Sequence, residues 1–496
     1  MAETAALPTT SGPVSGLRFD GVSEFRGIPY AGPIGGDRRF RAPVPPRSWT
    51  QTYAATRWPL MAPQPWGMSA DDEAYYGAVF GAPYVTESTE DGLYLNLWTP
   101  AADGARRPVM VWLHGGGLLF GQATRPRENG RRLCATQDVV VVAPSHRLGL
   151  LGYLDTRTLL GGDANVGMRD IVLALEWIRD NIETFGGDPA NVTLFGESGG
   201  GVKITTLLAM PSAAGLFHRA ICQSGVMPSP GAPGGLTPEQ AQPMTEAVLS
   251  AVGDPAELRE LPAAALATIP LPGGSGWQPV LDDETLPVPV APALAAGAGA
   301  DIPLILGTDA DEMRVLMRGR GLPATVDELA TLLVGLGGLA GLSGATGATP
   351  VAEHYAGSGD DFALSAERAL GDAMFRIPTI RVAQLRTTAG GAPVFMYLLR
   401  WQNPARPDVG AGHGVETSLV FGNLADVPAL RDAPAADTLA TMMAAAWASF
   451  ARDGVPRVGG EPWPPYRPTD RATLIWDVPP TVGCDPGGPD RRAWPD

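Results

Sequence analysis

Val192–Gly201 reads VTLFGESGGG. The largely apolar run Val192–Phe195 has the length and the β-branching of a buried strand. It stops at one serine ringed by glycines, Gly196-Glu197-Ser198-Gly199-Gly200. This is G-x-S-x-G between a strand and an expected helix, the turn that presents a nucleophilic serine at the C-terminal edge of a sheet. Such a turn forces a strained backbone on the serine, and glycines two residues to either side remove the clashes that side chains would cause. The N-terminus of the following helix also favours negative charge that develops beside the serine. Five letters alone are a weak pattern. Their place between strand and helix gives them weight.

Similar apolar runs recur along the chain: Val109–Leu113, Val139–Ala143, Ala220–Cys222, Pro303–Leu306, Val394–Leu399 and Leu474–Trp476. Several are apolar on both faces, as strands covered on both sides must be. Over Asn165–Thr184, Met168, Ile171, Val172, Leu175, Ile178 and Ile182 recur at helical spacing. Strand, helix and strand in alternation predict an α/β fold with a mostly parallel central sheet and helices on both faces. Leu93, Leu95 and Leu97 alternate with Tyr94, Asn96 and Trp98, which predicts antiparallel strands at the N-terminal edge. With 63 glycines and 49 prolines spread throughout, turns and long loops are frequent. The stretch from about 320 to 370 breaks the rhythm and reads as a cap lobe. Its Gly335-x-Gly337-x-x-Ala340 matches a dinucleotide fingerprint only formally. No strand precedes it, and the Gly/Thr/Pro-rich sequence behind it is not expected to form the required helix.

Strand Val109–Leu113 runs straight into His114-Gly115-Gly116-Gly117. Three glycines let the backbone approach a reacting group closely enough for its N–H groups to bind an oxyanion. Gly116, Gly117 and Gly199 are the expected donors. The chain has five histidines, His114, His146, His218, His354 and His413. In the chain order serine, acid, histidine, only the last three follow Ser198. His218 comes too soon for an intervening acid and strand, and His354 falls in the cap-like lobe. His413 lies in a Gly-flanked loop after a strand and is left as the base. Asp309, Asp311 and Glu312 follow strand Pro303–Leu306, and the residues alone do not choose among them as the group that orients the imidazole. Asp282, Asp283 and Glu284 compete, but no clear strand delivers them.

The chain has 496 residues, enough for one very large core or several domains. Its net charge of −16, with no Lys/Arg cluster, excludes nucleic acid and anionic membrane surfaces as expected partners. The N-terminal residues show no signal-peptide pattern, and no apolar run reaches membrane-spanning length. Cys134 and Cys222 sit among apolar residues and, with Cys484, make an odd, sparse set that points to a reducing, cytoplasmic setting. The Ala/Gly/Pro/Arg-rich composition hints at a high-GC bacterium. The formal glycosylation sequon Asn191-Val192-Thr193 enters a core strand and is discounted.

Ten stretches carry a resemblance: FRGIPYAGP, RFRAPVPPRSW, EDGLYLNLWTP, VMVWLHGGGLLFG, RLGLLGYL, the run from NVGMRDIVLALEWIRDN through LFGESGGG, AICQSG, GTDADEM, GHGVETSLVFG and ARDGVP. They run from about residue 18 to 456. Together they resemble the type-B carboxylesterase/lipase family, which includes bacterial para-nitrobenzyl-type esterases and the cholinesterases. The resemblance implies one α/β-hydrolase catalytic domain over residues 1–496 with cap insertions. It implies Ser198 as nucleophile, Glu312 as the acid and His413 as the base, with Glu197 and Ser224 beside them, although Ser224 reads equally as a strand-end serine. It implies hydrolysis of short to medium acyl or aryl esters, with amides, carbamates or long-chain lipids as alternatives and a non-catalytic binding role as a remoter one. No metal or cofactor is expected, and a monomer or small homo-oligomer is. Leu118, Leu119, Met227, Met313 and Phe375 are expected pocket-wall residues, each equally readable as core. Five positions depart from the family pattern: Gly92 where secreted members often have cysteine, Gly199 for alanine, Met313 for glycine, and Ser145-His146 for Asn-Tyr. Gly199 is expected to loosen the oxyanion site slightly.

Overall fold

The computed structural model describes residues 2–65, 69–227, 234–270, 276–340, 342 and 344–495. Twelve strands form one sheet: Ala2–Glu3 (β1), Leu17–Phe19 (β2), Val22–Pro29 (β3), Tyr94–Thr99 (β4), Arg107–Leu113 (β5), Val140–Pro144 (β6), Gly187–Glu197 (β7), Arg219–Gln223 (β8), Leu304–Asp309 (β9), Val394–Leu399 (β10), Ala472–Trp476 (β11) and Thr481–Cys484 (β12). Their spatial order is β1-β2-β3-β4-β6-β5-β7-β8-β9-β10-β11-β12. The pairs from β6 through β11 are parallel, and the edges are antiparallel. The single exchange of order, at β5 and β6, sets the end of β5 beside the end of β7, with Leu113 opposite Gly196.

Alternation along the central strands explains the burial of both faces. Val109, Val111, Leu113, Leu194 and Leu304 point to one face, where helix Val166–Asn181 (α1) and helix Gly199–Ala209 (α2) cover them. Met110, Trp112, Phe195, Ile221 and Ile305 point to the other, against residues of the later helices. β7 is longer than the apolar run that announced it, beginning at Gly187, and Thr193 of the formal sequon is fully buried within it.

Past β9 come the short helix Glu312–Leu316 (α3) and then Val326–Ala340 (α4), Gly344–Ala356 (α5) and Phe362–Gly371 (α6). The formal fingerprint lies inside α4, with no strand before it. The Gly/Thr/Pro-rich sequence behind it does form a helix, α5, with Pro350 inside. Burial overrides propensity there: Ala348, Val351, Ala352 and Tyr355 are at most 1% exposed and join Leu329, Leu333 and Leu370 in a third apolar cluster. Residues 341 and 343 of that stretch lie outside the described residues. The chain then forms Val415–Phe421 (α7) and Ala436–Asp453 (α8), which cover the second face of the sheet.

A buried ion pair joins the sheet to α1. Arg147, just after β6, donates Nη2 to Asp170 Oδ1 at 2.6 Å and Nε to Oδ2 at 2.8 Å. Both side chains are at most 5% exposed. Asp170→Asn leaves the guanidinium buried without its counter-charge and is expected to cost about 3–5 kcal/mol of stability in urea unfolding. A loss below about 1 kcal/mol would contradict this account of the pair.

Candidate active site

β7 ends at Glu197 and α2 begins at Gly199, so Ser198 is the whole turn. Its φ of +54° and ψ of −119° lie where a non-glycine residue costs about 1–3 kcal/mol. Neighbouring backbone holds it there. Ser198 donates its N–H to the Gln223 carbonyl at the end of β8, at 2.8 Å. A Cβ on Gly225 would stand 2.0 Å from the Ser198 carbonyl oxygen, and a Cβ on Gly200 would stand 2.0 Å from that of Leu113. The glycines therefore let the ends of β5 and β8 clamp the turn. Ser198 is left half-buried between two buried neighbours.

β5 delivers the second element. After Leu113 the chain turns through Gly116 (φ +87°) and Gly117 (φ +63°). The N–H groups of Gly116, Gly117 and Gly199 donate no hydrogen bond among the described residues. Three unused donors beside a serine are the means of holding a developing oxyanion. A Cβ on Gly199 would stand 2.1 Å from the Gly117 oxygen and 2.5 Å from its nitrogen. The expectation that Gly199 loosens this site is thus corrected: glycine here admits the Gly117 peptide directly against the start of α2.

β9 delivers a carboxyl group to the imidazole. Glu312 opens α3, where its Oε1 accepts the Asp309 N–H at 2.9 Å and its Oε2 lies 2.6 Å from His413 Nδ1. Among the three acids left open by the sequence, only Glu312 meets the imidazole. Asp311 accepts the Ala411 N–H at 2.9 Å and a Gln402 amide at 2.7 Å, shaping the loop that carries His413. Asp309 is buried against Glu416, and its carboxyl pairs with that of Glu416 and not with the imidazole. Asp282 instead accepts the N–H groups of Glu284 and Thr285 in a local turn.

The far side of the imidazole meets a group that the sequence placed only nearby. His413 Nε2 stands 3.0 Å from Glu197 Oε1, at ion-pair distance but without hydrogen-bond alignment. Ser198 Oγ makes no hydrogen bond among the described residues. The Phe375 ring, carried on a π-helical turn at Asp372–Arg376, packs on His413 with centroids 4.6 Å apart. Burial works to lower the His413 pKa, but Glu197, then Glu312, overcome it and hold the imidazole up at about 9. Burial pushes Glu197 up to about 7 against the pull of His413. Glu416 on α7 is fully buried, and burial raises its pKa; burial, then Glu416 and Glu312, push Asp309 well up.

The remaining expected residues divide. Phe375 touches His413. Leu118 and Met227 are core residues on the first face of the sheet, Leu119 is half-buried against them, and Met313 belongs to the third cluster. Ser224 is fully buried at φ +47°, next to the Gln223 that holds Ser198, but its Oγ has no hydrogen-bond partner among the described residues. His218 accepts the Val192 N–H, and His354 stands 3.0 Å from Asp490. Glu416 and the wholly buried Lys203 were missed. The signal for Lys203 was a lone charge inside the otherwise uncharged run Val202–Ala209. Among the described residues, no group of three or more His, Cys, Asp or Glu is placed to hold a metal ion, and no helix is long and apolar enough to cross a membrane.

Residues 3–484 match the model of the carboxylesterase family. The chain is 34% identical to the para-nitrobenzyl esterase of Bacillus subtilis, over 98% of this chain and 97% of that one. It is 33% identical to the phenmedipham hydrolase of Pseudarthrobacter oxydans, over 94% of each. A solved PNB esterase structure superposes with a TM-score of 0.86 at 32% identity, covering 99% of both chains. A carboxylesterase structure from Geobacillus stearothermophilus superposes with a TM-score of 0.84 at 32% identity, covering 99% of this chain and 100% of that one.

The Glu197–His413 contact has a direct readout. In nuclear magnetic resonance titrations His413 is expected to stay protonated past neutrality and to lose its proton near pH 9. Glu197→Gln removes an anion that favours the imidazolium, so the midpoint should fall by about one pH unit or more. An unmoved midpoint would contradict the contact.

Proposed function

The chain belongs to the carboxylesterase family and hydrolyses carboxylic esters, and on that premise we propose that Ser198 is the nucleophile, His413 its base and Glu312 the group that orients the base. The observation that carries this assignment is the buried 2.6 Å contact between Glu312 Oε2 and His413 Nδ1, with Nε2 turned to the turn that holds Ser198. Glu312 fixes the tautomer with the proton on Nδ1, which leaves Nε2 to take the serine proton. For that step Nε2 exchanges Glu197 for Ser198 Oγ. Turnover then climbs with pH as the imidazolium is lost.

Ser198 Oγ attacks the ester carbonyl carbon and its proton passes to His413. The carbonyl oxygen becomes an oxyanion held by the N–H groups of Gly116, Gly117 and Gly199. Collapse expels the alcohol, which takes the proton from His413 and leaves Ser198 acylated. Water, deprotonated by His413, repeats the sequence and releases the acid. Glu197, 3.0 Å from Nε2, lowers the energy of the imidazolium that forms at each stage.

We assign residues 1–496 to a single catalytic domain, with α4–α6 as its cap. The substrate class proposed is short to medium acyl or aryl esters, entering past Phe375 and past Phe120, which is 42% exposed at the end of the glycine turn. The free, buried Cys134 and Cys222 support a cytoplasmic setting, and a monomer or small homo-oligomer is the proposed state. The complete set of Ser198, His413 and Glu312 speaks against a purely binding role.

Para-nitrophenyl esters from acetate to palmitate test the reading. Activity should peak at the short to medium acyl chains, and Ser198→Ala should lower kcat by about 10⁵-fold or more. A peak at palmitate would favour a lipase. Ester turnover by the Ser198→Ala variant at the native rate would overturn the assignment of the nucleophile.

A further inference from the structure

Lys203 lies wholly inside the protein, 0% exposed, five residues beyond Ser198 on α2. Its Nζ donates to the backbone carbonyl of His114 at 2.8 Å. His114 is the last residue before the three glycines. Its carbonyl lies just past the place where β5 and β7 stop pairing, at Leu113 and Gly196. Lys203 therefore supplies a bond where the sheet no longer does.

The other end of the glycine turn is held separately. Gln64 Oε1 accepts the Gly121 N–H at 2.8 Å, Gln64 Nε2 donates to the Gly121 carbonyl at 3.0 Å, and the Gly149 N–H donates to the Leu118 carbonyl at 2.7 Å. Between these anchors Gly115, Gly116 and Gly117 have no side chains of their own with which to fix their N–H groups. A displacement near 1 Å at such donors costs about a hundredfold in rate.

We propose that Lys203 is a positioning residue for the oxyanion site: carried on the helix that starts at Ser198 and bonded to the carbonyl that starts the glycine turn, it fixes the distance between the nucleophile and the N–H groups of Gly116 and Gly117. This rests on the reading of Ser198 and the glycine turn given above.

The surroundings fit a tether. The His114 ring stacks on His146 with centroids 4.6 Å apart and planes 7° apart. Each ring places Nδ1 against a backbone carbonyl, His114 on Gly115 at 2.9 Å and His146 on Arg147 at 3.1 Å, so each carries its proton there. Burial, then the Lys203 charge, holds both imidazoles well below the usual histidine range, so they stand neutral against the ammonium. Burial lowers Lys203 itself to about 7, with Glu197 and Glu128 pulling the other way and Arg125 the remaining cation facing His114. A buried amino group is costly to desolvate, and shape alone would be met by methionine. What methionine lacks is the bond to His114.

The test compares the intact enzyme with Lys203→Met, which removes the donor, and Lys203→Gln, which keeps a neutral donor one atom shorter. Each is assayed for kcat and KM on a para-nitrophenyl ester. Each is also assayed for inhibition by an aryl trifluoromethyl ketone, whose carbonyl carbon takes Ser198 Oγ while the proton passes to His413 and the oxygen becomes the bound oxyanion. Lys203→Met should lower kcat about ten- to hundredfold and weaken the ketone by the same factor, with KM within about threefold. Lys203→Gln should lose less on both scales in the same proportion. The proposal is overturned if folded Lys203→Met keeps kcat and ketone affinity within about twofold of the native values, or if in folded Lys203→Gln the two do not change in the same proportion. A loss confined to KM, or a shift of the pH profile alone, also overturns it. Failure of the underlying reading looks different: the native enzyme then does not bind the ketone, or Ser198→Ala keeps its activity.

Discussion

The structure depends on one close approach: the peptide backbone at the end of β5 lies against the backbone of the turn between β7 and α2. No Cβ fits at Gly200, where it would meet the Leu113 carbonyl at 2.0 Å, or at Gly199, where it would meet the Gly117 carbonyl at 2.1 Å. This contact follows from the order of β5, β6 and β7 in the sheet. It puts a strained serine and three unused N–H donors in one place before any side-chain chemistry is considered. Strain of this kind persists only where the surroundings over-determine it. Here β5, β8 and the start of α2 all do so.

Around that contact the charged groups form two buried sets of opposite character. On the side of His413 lie Glu312, Glu197, Glu416 and Asp309, and the imidazole is the cation that the first two sustain. Behind the glycine turn lie Lys203 and the stacked His114 and His146, where the imidazoles are neutral. Glu197 belongs to both. It adjoins Ser198, faces His413 Nε2 and offsets the cost of the Lys203 charge. A chain that places this many ionisable groups out of water pays in stability, and such clusters of perturbed groups are characteristic of functional sites.

The sheet was legible because its strands are apolar on both faces. The run Val394–Leu399 has the bounds of the strand itself, and α1 shows in the helical spacing of its buried residues. The serine turn was legible from its glycines, and His413 by elimination among few histidines. Glu312 was not legible from residues alone, since Asp309 and Asp311 share its neighbourhood and only the fold shows which carboxylate reaches the ring. The resemblance to the family supplied that choice. The α5 helix was hidden because Gly, Thr and Pro disfavour it locally and only burial against α4 and α6 supports it. The Glu197–His413 contact and the Lys203 tether join residues over 200 and over 80 positions apart in the chain, and no local pattern announces such meetings.

The central claim is that Ser198 is made reactive by the groups assembled around it. Brief exposure to an alkyl fluorophosphonate, followed by peptide mass spectrometry, tests it most directly. The nucleophilic oxygen displaces fluoride at phosphorus and leaves a stable ester on the residue that attacked. The account predicts one adduct per chain, on the peptide carrying Ser198, with labelling and ester turnover lost together. An adduct on another residue that abolishes turnover while Ser198 stays unmodified would contradict it.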